Sequence, residues 1–128
     1  MTYVIAGPMV AVALLLTGCA ATSSTNEQAC RDYATSVNRM VEAVNASGSS
    51  EEMTSAVADM APELVPLVKD SAGATEAAIS ASSSLAQSFA ADMAEGDSSQ
   101  AGDFFMSTAK VTQACFTDGY AIVIKSVG

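Results

Sequence analysis

The chain has 128 residues, half of them hydrophobic, with five basic and fourteen acidic side chains, a net charge of −9 and no histidine. A surface this acidic argues against nucleic acid, whose phosphates are held by Lys and Arg, and against docking by charge onto anionic lipid. Lack of histidine removes the commonest general base near neutral pH and the commonest zinc ligand.

In chain order, residues 3–16 come first and are almost wholly apolar, interrupted by Gly7 and Pro8. A bilayer-spanning helix needs ~20 apolar residues, so this shorter run reads as a signal-peptide core. It stops at Leu16-Thr17-Gly18-Cys19, and a Ser/Thr/Ala-rich tether follows. Met1–Val10 carries no Lys or Arg, a departure from the usual signal peptide. Leu, two small residues and Cys at this place resemble the lipobox of bacterial lipoproteins. The resemblance covers about the first 25 residues. It implies cleavage between Gly18 and Cys19, and a covalent diacylglycerol and N-acyl lipid on Cys19. It also implies a cell-membrane location on the extracytoplasmic face, periplasmic or extracellular. Several acyl chains hold a protein stably where one short chain does not.

With Cys19 so used, Cys30 and Cys115 remain of the three cysteines. An even remainder in an exported chain reads as one disulfide; two free buried thiols are the alternative. The expected organisation is residues 1–18 signal peptide, 19–26 lipidated cysteine and polar tether, 27–119 helical bundle domain, and 120–128 apolar tail.

Ser24 with Glu27, or Thr25 with Gln28, can form a capping box that opens the first helix. Cys30, Tyr33, Val37, Met40, Val41 and Val44 then recur at helical spacing, and Ser47-Gly48 ends the run. A second capping box, Ser49-Ser50-Glu51-Glu52, opens a stripe of Met53, Ala56, Val57, Met60, Leu64, Leu67 and Val68. Pro62 and Pro66 lie inside it, so a kink or a fresh helix start is expected near Ala61-Pro62. The third stripe is Ile79, Ser82, Leu85, Ala86, Phe89 and Met93. Ser71-Ala72-Gly73 is the expected break before it, with one helix over 62–95 as the alternative. Gly96 closes this segment and Asp97 or Ser98 is expected to cap the next. Phe104, Phe105, Thr108, Val111, Thr112 and Cys115 share the fourth face, and Asp118-Gly119 ends it. The β-branched tail from Tyr120 to Ile124 either extends that helix or packs as an extended arm.

The expected fold is therefore all-α, an antiparallel four-helix bundle closed by one disulfide. Cys30 opens the first helix and Cys115 closes the last. In an up-down bundle those ends meet only when the helix number is even.

Candidate chemistry is sparse. Ser107-Thr108-Ala109-Lys110 matches the S-x-x-K pattern of serine acyl-enzymes, but their further Ser/Asn and Lys-Thr-Gly elements are missing. A solvated lysine is the plainer reading. Asp92, Glu95 and Asp97 cluster at a helix end without calcium-loop spacing. Met53, Met60, Met93 and Met106 fall at core spacing and read as core filler. No catalytic residue, metal or cofactor other than the lipid is expected. The functional expectation is a small membrane-anchored envelope lipoprotein, a non-catalytic binding or accessory protein whose candidate partner is another envelope protein. One alternative is a phage or prophage lipoprotein that blocks superinfection. Another is a binder of a small apolar ligand in a groove of Phe104, Phe105 and the tail.

Overall fold

The computed structural model describes residues 26–128. The signal peptide, the lipobox with Gly18 and Cys19, and the proposed first caps lie outside the described residues. Within them the chain forms four helices and no strand: α1 (residues 26–46), α2 (Ser50–Lys69), α3 (Gly73–Ala94) and α4 (Ala101–Thr117). They pack as a helical bundle. Asn26, placed with the tether by its polarity, is already a helical and buried residue.

Local signals explain most boundaries. Ser49 accepts a hydrogen bond from the Glu52 amide (3.2 Å), while the Glu52 carboxylate accepts one from the Gly48 amide (2.9 Å). This reciprocal cap satisfies donors the helix start would otherwise leave open. The break between the second and third segments falls at residues 70–72, so the single helix over 62–95 does not form. α3 and α4 both end on Schellman turns. Asp97 N bonds Asp92 O (2.8 Å) and Gly96 N bonds Met93 O (3.0 Å); Tyr120 N bonds Cys115 O (2.8 Å) and Gly119 N bonds Phe116 O (2.9 Å). Gly96 and Gly119 sit at φ +84° and +97°, the left-handed conformation that a side chain resists and this turn requires.

Two local expectations change: the fresh helix start at Ala61-Pro62 and the cap of α4. α2 runs unbroken from Ser50 to Lys69 through Pro62 and Pro66, with no fresh start at Ala61-Pro62. Both prolines are exposed, as is Ala58, so the carbonyls they leave without a helical partner face water. Neither Asp97 nor Ser98 caps α4. Its first flanking residue is Gln100, which makes no side-chain cap. The Asp97 carboxylate instead accepts the Ser99 amide at 2.9 Å, inside the preceding turn. Hydrogen bonds from the Ser99 backbone and side chain hold the Asp97 carboxyl below the usual carboxylate range.

The core joins Tyr33, Val37 and Val41 of α1, Val57, Met60 and Leu64 of α2, Ile79, Ala86 and Phe89 of α3, and Phe104, Val111 and Cys115 of α4. Phe104 is fully buried, 5.8 Å from Phe89 and 5.3 Å from Phe105 between ring centroids. α3 contributes the thin stripe that its Ala/Ser composition implies. Thr75, Ser82 and Ser83 are all buried there, and among the described residues no buried side-chain polar atom lacks a partner. Met106, expected in the core, points outward and is 65% exposed. Ser107 and Thr108 occupy the inward positions beside it, because Phe104, Ser107, Val111 and Cys115 form the true inner row of α4.

After Gly119 the chain leaves the helix, and residues 120–128 form an arm without regular structure. Tyr120, Ile122 and Ile124 are half-buried while Ala121, Val123 and Lys125 are exposed. That alternation is the period-two pattern of extended chain. Of the two expectations for the tail, the extended arm is the one realised.

Candidate functional site

The sites of interest lie at one pole of the bundle, in its interior and along the arm. That pole holds the disulfide. Cys30 and Cys115 are bonded, with Cα atoms 6.0 Å apart and both residues fully buried. A polar cluster closes the same pole. The Asn26 amide donates to Asp118 Oδ2 (2.7 Å) and to the Ala72 carbonyl (3.3 Å), and its oxygen accepts the Ala72 N–H (2.9 Å). The Thr75 hydroxyl donates to the same Asp118 oxygen at 2.6 Å. The start of α1, the α2–α3 turn and the end of α4 are thus held by one carboxylate and one amide. None of these partners was evident from the sequence, since each pairing spans more than forty residues.

The middle of the bundle holds a hydroxyl chain. Tyr33 shares a 2.5 Å hydrogen bond with Ser82; Ser107 Oγ lies 2.8 Å from Ser82 Oγ and 2.5 Å from the Phe104 carbonyl oxygen. Burial pushes the Tyr33 phenol well above the usual tyrosine range, against the smaller opposing effect of the two serines. Ser107, the serine of the S-x-x-K pattern, is therefore an interior residue with its hydroxyl engaged, whereas Lys110 is exposed.

The acidic group at the α3 end is also dispersed into local structure. Asp92 accepts the Gln100 side-chain amide (3.1 Å) and Asp97 accepts the Ser99 amide. Among the described residues no three Cys, Asp or Glu side chains converge as a metal site.

The arm lies along α1 and is held by two asparagines one heptad apart. Asn38 donates to the Val123 carbonyl (2.8 Å) and accepts the Lys125 N–H (2.7 Å). Asn45 donates to the Ser126 carbonyl (3.1 Å) and accepts the Gly128 N–H (2.9 Å). Each carboxamide turns one of its N–H donors and its oxygen acceptor to the arm, and so pairs with it as a neighbouring strand would. Lys125 adds an exposed ion pair with Glu42. In an Asn38→Ala, Asn45→Ala double variant, the Lys125 and Gly128 amides should exchange hydrogen on the order of tenfold faster. The bundle amides should keep their protection, as measured by exchange and mass spectrometry.

Between the arm and α4 runs an open groove of about 680 Å³, with Phe105, Thr108 and Ile122 to Val127 in its walls. Phe105 borders it, but Phe104, which the sequence reading placed there, is buried in the core. A smaller and more closed cavity of about 230 Å³ lies away from the disulfide, lined from the later part of α1, the earlier part of α2, the end of α3 and the beginning of α4. Met40, Met53, Met93, Phe89 and Phe105 line it, and Val127 of the arm closes one side. Its single hydroxyl among the described residues is Ser98. Met93 packs against the core as expected and also walls this cavity, as does the half-buried Met53. Among the described residues, no helix is long and apolar enough to cross a membrane. In comparisons with known proteins the chain matches no family, no curated protein and no solved structure.

Proposed function

We propose that this chain is a lipid-anchored envelope lipoprotein that works by binding rather than by chemistry. The observation that carries the reading is the Cys30–Cys115 bond. It accounts for two of the three thiols and leaves Cys19 alone, at the end of an apolar run and inside Leu16-Thr17-Gly18-Cys19. Cys19 carries the diacylglycerol and N-acyl lipid, residues 1–18 are removed, and the folded domain stands outside the cytoplasmic membrane. The domain is an antiparallel up-down four-helix bundle. Support comes from Thr54 at the start of α2 meeting Met93 at the end of α3, from Gln87 meeting Ala61, and from Cys30 meeting Cys115. The burial of Ser107 away from Lys110 supports a non-catalytic role, and the net charge of −9 supports a partner other than nucleic acid.

Intact mass after expression in a bacterium tests this. The expected product lacks residues 1–18, carries added lipid mass and has two hydrogens fewer for the disulfide. Cys19→Ser should lose the lipid and keep the leader. A wild-type product that retains residues 1–18 and travels with the soluble fraction would overturn the proposal.

A further inference from the structure

We infer that the 230 Å³ cavity away from the disulfide is a binding site for the alkyl chain of a single-chain cationic amphiphile. The inference deepens the binding reading and rests on it; only the choice of a free amphiphile over a bilayer chain uses the anchor.

Four observations converge. First, among the described residues the lining is apolar apart from the Ser98 hydroxyl, and no charged side chain borders it. The chemistry that fits is hydrocarbon. Second, the volume exceeds the ~150 Å³ that admits benzene in an apolar core and is below the ~300 Å³ floor for drug-sized ligands. At roughly 30 Å³ per water-sized group it takes a chain of about eight carbons. Third, three of the wall residues are methionines, whose unbranched, polarisable side chains adapt to an inserted chain. Fourth, the segments around Met53, Met93 and Ser98 of its wall are strongly acidic. Residues 47–55 and 92–103 carry Glu51, Glu52, Asp92, Glu95, Asp97 and Asp103 and no Lys or Arg, and Lys125 of the adjoining arm is paired with Glu42. A depression holding Glu51 and Gly96 adjoins the cavity at Met93. A head group left at the mouth beside Ser98 therefore meets negative potential, which favours an ammonium over a carboxylate.

The source is a free amphiphile rather than a chain of the anchoring bilayer. The tether leaves from the α1 start. α1 rises ~27 Å between Asn26 and Val44, the wall residue near its end.

The test uses the full-length product in phosphatidylcholine vesicles, with ¹³C-labelled methionine methyl groups as reporters. Decylammonium, decanol and decanoate are titrated in turn. Saturable shifts at Met40, Met53 and Met93 are expected with decylammonium, while core Met60 and exposed Met106 stay in place. Half-saturation should need at least about tenfold more decanoate, the discrimination that acidic mouth residues provide. Ala101→Phe, which fills the cavity, should abolish the shifts. Should that variant not fold, Val127→Phe on the half-exposed arm end, which fills the same cavity from its other side, should abolish them instead. Equal response to all three amphiphiles, shifts shared by Met60 and Met106, or no saturable shift would overturn the inference. So would broadening of the three methyl signals by phospholipid spin-labelled at its chain end, without added amphiphile. None of these outcomes alters the intact mass, so the anchor proposal is judged separately.

Discussion

Replacing both Cys30 and Cys115 by alanine should cost this domain ~4 kcal/mol, because the bond closes a loop of 85 residues that the unfolded chain must otherwise order. A domain of this size holds roughly 5–15 kcal/mol in total, so the loss is a large share of its stability. The melting temperature should fall on the order of 20 °C, given the usual 4–8 °C per kcal/mol for small domains. Urea unfolding of the double variant and of reduced wild-type protein should agree, since both lack the same cross-link. The polar cluster at that pole, Asn26, Ala72, Thr75 and Asp118, remains in both cases. It stabilises the native state but does nothing to restrict the unfolded chain, and so cannot replace the bond. A loss below about 1 kcal/mol would mean that the unfolded chain gains almost no freedom when the link is cut, contrary to the loop-closure argument.

The second large effect is expected at Tyr33. Its ring is fully buried between α1 and α3, and its hydroxyl meets Ser82. Tyr33→Ala should cost about 3–5 kcal/mol through the cavity it leaves. Tyr33→Phe should cost about 1–2 kcal/mol, because Ser82 loses one of its two hydroxyl neighbours in the core. The same substitution has a pH signature. Burial raises the phenol's pKa in the folded state, so the native protein holds its proton after the unfolded chain has released it. The stability from the neutral phenol is complete below the ordinary tyrosine value of about 10 and is lost as pH rises beyond it. The slope is at most about 1.4 kcal/mol per pH unit. Urea titrations at pH 9, 10 and 11 should show wild type losing its advantage over Tyr33→Phe. A difference that stays constant across that range would remove the buried phenol as its cause.

Helix placement was legible because helices announce themselves locally. Ser49 and Glu52 form their cap within four residues. The Ser71-Ala72-Gly73 break and the Gly96 and Gly119 ends are written in residues that no helix interior favours. At the prolines the fresh start was not realised, for a related reason. Their effect on the backbone is local, but whether a helix survives depends on which side faces water, and Pro62 and Pro66 face it. Likewise Asp97 carries a good capping side chain, yet the turn around Ser99 claims it first.

Legible in the sequence alone were the apolar run that stops at Leu16-Thr17-Gly18-Cys19, the helical periods, and, by counting cysteines, the expected pairing of Cys30 with Cys115, from which an even number of helices follows. Tertiary structure alone decided which hydroxyls lie inside, that Met106 faces out, that Asn38 and Asn45 grip the arm, and that three methionines line a cavity away from the disulfide. The division has a physical cause. Period and capping depend on neighbours three or four residues away, whereas burial of a serine or docking of an extended arm depends on partners 25 to 87 residues distant.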